Sequence, residues 1–497
     1  MGILSNLEPE AVFRYFEKIC SIPHGSGNTN KISNFCVSFA KEHGLKYQKD
    51  SHNNVIIWKD GSPGYENSPA VMIQGHLDMV CEKETDCKFD FEKYGLNLQL
   101  KDGFISAKGT TLGGDDGIAI AYALAILESD SIPHPPLEAV FTTDEEVGMT
   151  GAAAIDVSSL KSRIMLNIDS EEEGYLLTSC AGGAAVTVEI PVKRKGAVGK
   201  CADIWIKGIK GGHSGVEIDK GRANSNVLMG RTLYSLSQKF KFNIMTIYGG
   251  LKDNAIPRET YSRIIFNENT DMEEVQKHLE ELNKIYANEY SSTDAGIKIV
   301  VKTENKPGNY FVFYDKSTSK VIAALVSLPN GIQRMSHDIE GLVQTSLNLG
   351  KLDTVFLDPS DPYSHRDCPF CVRFNYSLRS SISTEKEELA DRIKCLAETL
   401  GGTVSLNGDY PAWEYKKESP LRDLMIEVFE EQYGRKPVIQ AIHAGLECGL
   451  FAGKLPGLDC ISYGPDIKNI HTPQESLDIE SVKRTWEYTL EILKRLK

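Results

Sequence analysis

Apolar residues recur at helical spacing over residues 9–20 (Val12, Phe13, Phe16, Ile19) and again over 31–43 (Ile32, Phe35, Cys36, Phe39). Both stretches are expected as amphipathic helices, the second capped by Asn30. Short apolar runs at 55–58, 70–74, 137–142 and 164–168 read as strands. Residues 118–127, almost wholly Ala, Ile and Leu, read as a helix buried on every side. Strand and helix therefore alternate over the first 180 residues, the pattern of a sheet covered on both faces.

Beyond Gly182 and Gly183 the pattern changes. Runs at 186–192, 202–207, 243–248 and 261–266 suit antiparallel strands, interleaved with helices at 221–239 and 272–286. A similar succession follows, with a helix at 316–328, strands at 341–349 and 371–379, and a helix at 384–400. This suggests a duplicated α+β unit, although no residue-level repeat accompanies it. From Ser419 onward, helix, strand, helix, strand and a last helix over 479–497 return to the opening pattern. The simplest topology is an α/β domain built from both ends of the chain, with a second domain inserted in its middle.

A length of 497 residues agrees with more than one core. With 41% hydrophobic and 25% charged residues the chain is ordinary globular protein, which excludes a disordered reading. Its 55 Lys and Arg against 69 Asp and Glu give a net charge of −14, which argues against nucleic acid as a partner and directs attention to carboxylates gathered around cations. Residues 1–13 lack the features of a signal peptide, and no apolar run approaches the roughly 18 residues that cross a bilayer. A cytoplasmic protein without a membrane partner is expected. The 11 cysteines are odd in number and scattered, so reduced thiols are expected. Cys368 and Cys371 form a CxxC pair with no second pair to complete a zinc site, and Pro369 argues for a loop, so the pair reads as structural or incidental.

In open α/β sheets ligands bind beyond the carboxyl ends of strands. Five such places carry chemistry. His76 and Asp78 follow the strand at 70–74 and, two apart, point to the same side, where a carboxylate can orient an imidazole. Asp115 and Asp116 sit in a Gly-flanked turn before the buried helix; they cannot both cap it, and one could bridge two cations. No GK[ST] follows these glycines, so they do not form a phosphate loop. Glu145 and Glu146 follow the strand at 137–142, where one could coordinate a metal and the other act as general base. Asp169 ends the strand at 164–168, and a lone His471 follows a strand and turn near the C-terminus. Brought to one sheet edge, His76, Asp115, Glu146, Asp169 and His471 suit two ions sharing one bridging carboxylate, with Asp116 the alternative bridge. The mixed nitrogen and oxygen donors suit zinc, with manganese or cobalt less distinct.

These residues, in this order, resemble the M20 family of co-catalytic zinc metallopeptidases. The resemblance rests on GHLDMV at 75–80, LGGDDGIAIA at 112–121, TTDEEVGMTGA at 142–152, LNIDSEEEG at 166–174 and IHTPQE at 470–475. IKGIKGGHSGVEID from Ile206, GRANSN from Gly221, NAIPRE from Asn254 and HAGLECGLF from His443 extend it to the aminoacyl-histidine dipeptidase branch. The resemblance implies two Zn2+ ions, one on His76, Asp115 and Asp169 and the other on Asp115, Glu146 and His471. It further implies that Asp78 orients His76, that Glu145 is the general base, and that His213 helps bind the substrate carbonyl. Arg379 matches the arginine that receives the substrate carboxylate, in a geometry suited to a bidentate contact. Asn254 and Gly445 match substrate-contacting positions, and His443 and Glu447 are candidates for the pocket wall. Asp169, where deacylase branches more often carry Glu, favours a peptidase.

The implied fold class is α/β with two domains. Residues 1–182 and 416–497 form a discontinuous catalytic domain with a mixed sheet and helices on both faces, and 183–415 an inserted α+β lid and dimerisation domain. The implied activity is that of a metallo-dipeptidase acting on short unblocked peptides, Xaa-His dipeptides such as β-alanyl-histidine among them. A homodimer is implied as well. The rival readings are an N-acyl amino acid deacylase on the same metals and a non-catalytic metal-binding or scaffold protein.

Overall fold

The computed structural model describes residues 2–356 and 369–497. The chain divides into two units, the first made of Met1–Cys180, Trp413–Ala441 and Leu446–Lys497 and the second of Ala181–Ala412 and Ile442–Gly445.

The first unit is built on an eight-stranded sheet in the order Lys46–Lys49, Val55–Lys59, Leu137–Thr142, Val71–His76, Ile164–Asn167, Asp459–Ser462, Tyr175–Cys180, Val438–Ile442. Its four central strands, from Leu137–Thr142 to Asp459–Ser462, run parallel, so their carboxyl ends open on one edge. Val71, Ile73 and Ala139 are buried, and so are Met72 and Val140, which alternate with them. Both faces of the sheet are therefore covered, as a parallel sheet requires. Helices Glu10–Cys20 and Gly114–Glu128, together with Pro420–Tyr433 and Ile479–Arg495 from the far end of the chain, share one core. Every residue from Gly117 to Leu127 is buried, which explains why that helix has no polar face.

The second unit holds a nine-stranded antiparallel sheet. One half carries Arg194–Lys207, helix Ser225–Ser237, Phe242–Gly249, Thr260–Phe266, helix Met272–Glu289 and Lys298–Phe313. The other carries Gly182–Pro191, helix Asp315–Ser327, Val343–Phe356, Phe370–Ser380, helix Ser383–Thr399 and Thr403–Tyr410. In both halves the strands lie in the order fourth, first, third, second from the outer edge, and the two second strands pair at the centre. Apolar residues of all four helices and of one sheet face, among them Leu347 and Leu378, form a single core.

Several boundaries differ from the sequence pattern for identifiable reasons. The helix expected from residue 221 begins at Ser225, because the Asn224 side chain accepts the N–H groups of Asn226 and Val227 and fixes the start there. Asn30 does not cap its helix: it is the first helical residue, and its side chain accepts from Asn34 Nδ2 at 2.5 Å. Strands Lys298–Phe313 and Thr403–Tyr410 lack a clear alternation because they are the outer strands of their sheet, largely exposed, and the first carries Pro307 and Gly308. Of the CxxC pair, Cys368 lies outside the described residues, while Cys371 is buried in Phe370–Ser380. Cys20, Cys36, Cys180, Cys201, Cys448 and Cys460 are buried free thiols.

Candidate active site

Strand Val71–His76 ends on His76, its neighbour Leu137–Thr142 leads into Glu145 and Glu146, and Ile164–Asn167 leads into Asp169. Parallel pairing sets His76 opposite Thr142 and Gln74 opposite Asn167, so the three polar ends arrive at one edge. His76 is buried, with Nε2 3.0 Å from Asp115 Oδ1 and 3.7 Å from Asp169 Oδ1. His471 Nε2 lies 3.0 Å from Glu146 and 3.4 Å from Asp115 Oδ2. Asp115 thus turns one oxygen to each imidazole. The possible ligand atoms of His76, Asp116 and Asp169 lie within 4.8 Å of one another, as do those of His76, Glu145 and Glu146, and those of Asp115, Glu146 and His471.

The donor chemistry fits divalent cations. His76 Nδ1 is 2.9 Å from the Asp78 carbonyl oxygen, which only accepts, so Nδ1 carries a proton and donates. Nε2 then faces two carboxylates, an arrangement that calls for positive charge between them. Burial opposes ionisation of Asp115, but hydrogen bonds from His471 and His76 hold it below the ordinary carboxylate range. Asp169 is pushed up by burial and by neighbouring Asp115 and Glu146 despite His76. Hydrogen bonds to Asp115 and Glu146 raise His471 to about 10. Burial pushes half-buried Glu145 up to about 9, with Asp169, Glu447 and Glu146 adding to it.

The carboxylates are held from behind. Asp78 accepts from Ser26 Oγ at 2.8 Å and from the backbone N–H of Glu145 at 3.1 Å and of Glu146 at 3.4 Å, so it pins the turn carrying both glutamates. Glu475 accepts from the amides of Leu112 at 2.8 Å and Gly114 at 2.8 Å and thereby fixes the turn before Asp115. Asp116 accepts the backbone N–H of His76 at 3.1 Å. Gly75 permits that approach, since a Cβ there would lie 2.5 Å from Asp116 Oδ2. Buried Glu447 accepts from Gln74 Nε2 at 2.5 Å and Thr142 Oγ1 at 2.6 Å, joining two of the strands beneath the site. Sequence reasoning misses the supporting roles of Ser26, Gln74 and Glu475. A signal for Glu475 is its place four residues after His471 in the same loop; Ser26 and Gln74 offer none, because their partners are distant in the chain.

His213, Asn254, Arg379, His443 and Gly445 belong to the second unit. His213 Nδ1 accepts the amides of Gly215 and Val216, both at 3.2 Å, so its proton resides on Nε2. Burial, then the charge of Arg379, lowers its pKa. The Asn254 carbonyl accepts from the Ser214 amide at 2.9 Å, and Asn254 and His213 share the lining of a cavity of about 690 Å3 with Trp205, Tyr248 and Tyr261. Arg379 and His443 stand beside Gly215, where a Cβ would come 3.2 Å from Arg379 Nε and 2.6 Å from the His443 carbonyl oxygen. Gly445 lies half-buried two residues after His443.

Known proteins resemble this chain over its whole length. The profile described as Peptidase family M20/M25/M40 matches residues 72–495. The chain is 35% identical to the cytosol non-specific dipeptidase of Escherichia coli (strain K12), over 100% of this chain and 99% of that protein. The crystal structure of aminoacylhistidine dipeptidase from Vibrio alginolyticus superposes with a TM-score of 0.90 at 34% identity, covering 99% of this chain and 98% of that one. Aminopeptidase PepT from Bacillus cereus shares the fold, with a TM-score of 0.55 at 15% identity and 99% of each chain covered. With the family profile spanning most of its length and these full-length relatives, the chain belongs to peptidase family M20/M25/M40.

Proposed function

We propose that the protein is a dipeptidase that holds two zinc ions and hydrolyses unblocked dipeptides, Xaa-His among them. The observation that carries this reading is Asp115, with one oxygen 3.0 Å from His76 and the other 3.4 Å from His471. That is the disposition expected of a carboxylate shared by two cations, and the names of the Escherichia coli and Vibrio relatives supply the substrate class. In this reading His76, Asp115 and Asp169 hold one ion and Asp115, Glu146 and His471 the other. When bound, such a pair would supply Lewis-acid polarisation of the scissile carbonyl and a lowered pKa for the attacking water.

The chain's own groups do the rest. Glu145 takes a proton from the attacking water as the new C–O bond forms, and then delivers it to the amide nitrogen, so that the C–N bond breaks as the carbonyl re-forms and the amine leaves. Asp78 keeps His76 and the Glu145–Glu146 turn in register. His213, with its proton on Nε2, donates to the oxyanion. Arg379 receives the C-terminal carboxylate, which confines the enzyme to very short substrates, and Asn254 and Gly445 border the bound peptide. The first unit is then the catalytic domain and the second an inserted, duplicated lid and dimerisation domain of a homodimer. We place the enzyme in the cytoplasm on the name of the Escherichia coli relative. No helix among the described residues is long and apolar enough to cross a membrane.

The reading is tested with Glu145→Gln at equal metal content. Loss of alanyl-histidine hydrolysis by about a hundredfold or more is expected of a missing general base. Near wild-type turnover in the metal-loaded variant would falsify the assignment.

A further inference from the structure

Four residues stand in a row across the second unit's sheet. Ser346 pairs with Arg379, Arg379 with Gly183, and Gly183 with Tyr410, on four adjacent strands. Directly opposed residues share a face. Leu347 and Leu378, one step along, enter the helix-covered core, so this row lies on the other face. Gly183 keeps the row open, since a Cβ there would come 2.5 Å from the Tyr410 hydroxyl. Across that gap Arg379 Nη1 donates to the Tyr410 hydroxyl at 3.2 Å. The bond anchors one side of the guanidinium. Arg379 Nε, on the other side, is buried without a hydrogen-bond partner among the described residues.

At the row's other end, the Ser346 hydroxyl lies 2.8 Å from His443 Nε2. Ser346 is 1% exposed, so its hydroxyl hydrogen must find an acceptor within the protein, and His443 Nε2 is the one in reach among the described residues. Nε2 therefore accepts, and the His443 proton sits on Nδ1. Nδ1 too is buried without a partner among the described residues, on a residue 6% exposed. The ring stays neutral near physiological pH, because burial, then the charge of Arg379, pushes His443 down to about 3. The second unit thus buries two N–H donors without a partner among the described residues, one on a guanidinium and one on an uncharged imidazole. Buried donors without acceptors are uncommon, and two together are explained by an anion that both were built to meet.

We propose that His443 is a specificity-determining residue: its Nδ1–H, together with Arg379 Nε, binds the free α-carboxylate of the substrate's C-terminal residue. The proposal rests on the reading above in which Arg379 receives that carboxylate. Ser346 serves it by fixing the imidazole tautomer. A substrate without the carboxylate leaves both donors buried and unpaired, which is how a site rejects an analogue lacking one polar group.

The test compares alanyl-histidine with its C-terminal amide, on metal-loaded full-length enzyme. Wild type is expected to favour the free acid strongly in kcat/KM. His443→Leu should reduce that preference by about tenfold or more, chiefly through KM for the acid. His443→Asn, whose amide N–H stands near the Nδ1 position, should retain most of it. Ser346→Ala, which releases the tautomer, should reduce it several-fold and serves as the check where the leucine variant folds poorly. The proposal is overturned where His443→Leu weakens acid and amide equally, the outcome of a merely structural role, or where Ser346→Ala leaves the preference intact. Arg379→Met separates the two layers. If it abolishes the preference while His443→Leu does not, only the role of His443 fails; if it leaves the preference untouched, the underlying reading of Arg379 fails as well.

Discussion

Asp78 shows how much of the site depends on one buried carboxylate. It lies 3.5 Å from His76 Nδ1 through Oδ1, and it also accepts from Ser26 and from the Glu145 and Glu146 amides. Asp78→Asn keeps the volume but removes the charge and part of this acceptor set. A fall of about 10–100-fold in metal affinity or kcat is expected, the usual cost of losing a partner that orients a ligand. Chelator competition and turnover measured together check it, and unchanged values in both would remove Asp78 from the account. At this scale His76, Glu146 and Asp169 are legible in the sequence because they lie at or just after strand ends, whereas Asp115 stands at the start of helix Gly114–Glu128. Asp115 and Asp116 are adjacent and chemically identical, and only the turn decides between them: Asp115 faces both imidazoles while Asp116 turns inward to the His76 amide.

Elements from opposite ends of the chain meet at Glu173. Arg484 of helix Ile479–Arg495 donates Nε to its Oε1 at 2.8 Å and Nη2 to its Oε2 at 2.5 Å, and Tyr433 of helix Pro420–Tyr433 donates at 2.6 Å. Burial favours the neutral acid, but Arg484 and Tyr433 outweigh it and hold Glu173 below its ordinary value of 4.5. A carboxylate lowered on folding stabilises fully above its unfolded value and loses that contribution as pH falls through the folded one. Glu173→Gln should therefore lower the melting temperature at pH 7, and the gap to wild type should close in acid below the ordinary glutamate value. A gap that stays constant across that range would show that charge plays no part. This tie is invisible in the sequence, where Glu173 is one of three consecutive glutamates. The central strands are legible because burial on both faces leaves continuous apolar runs. The outer strands of the second sheet are not, because one side of each is open to water and its pattern is unconstrained.

Over the whole molecule, chain order and spatial order part company. The first unit takes strands and helices from both termini, and its edge gathers residues as far apart in sequence as His76 and His471. That much is legible once ligand-like residues are found at both ends of the chain. The assignment of His443 to the second unit is not, because residues 442–445 lie in a stretch whose neighbours on either side belong to the first. If the clustered carboxylates and imidazoles hold cations for dipeptide hydrolysis, activity must follow metal content. The most direct measurement strips the protein with chelator and titrates zinc back while following metal content and hydrolysis of alanyl-histidine. The account predicts no turnover after stripping and full recovery as two zinc ions bind per chain. Turnover that survives stripping, or a fully loaded protein that leaves the dipeptide intact, would contradict it.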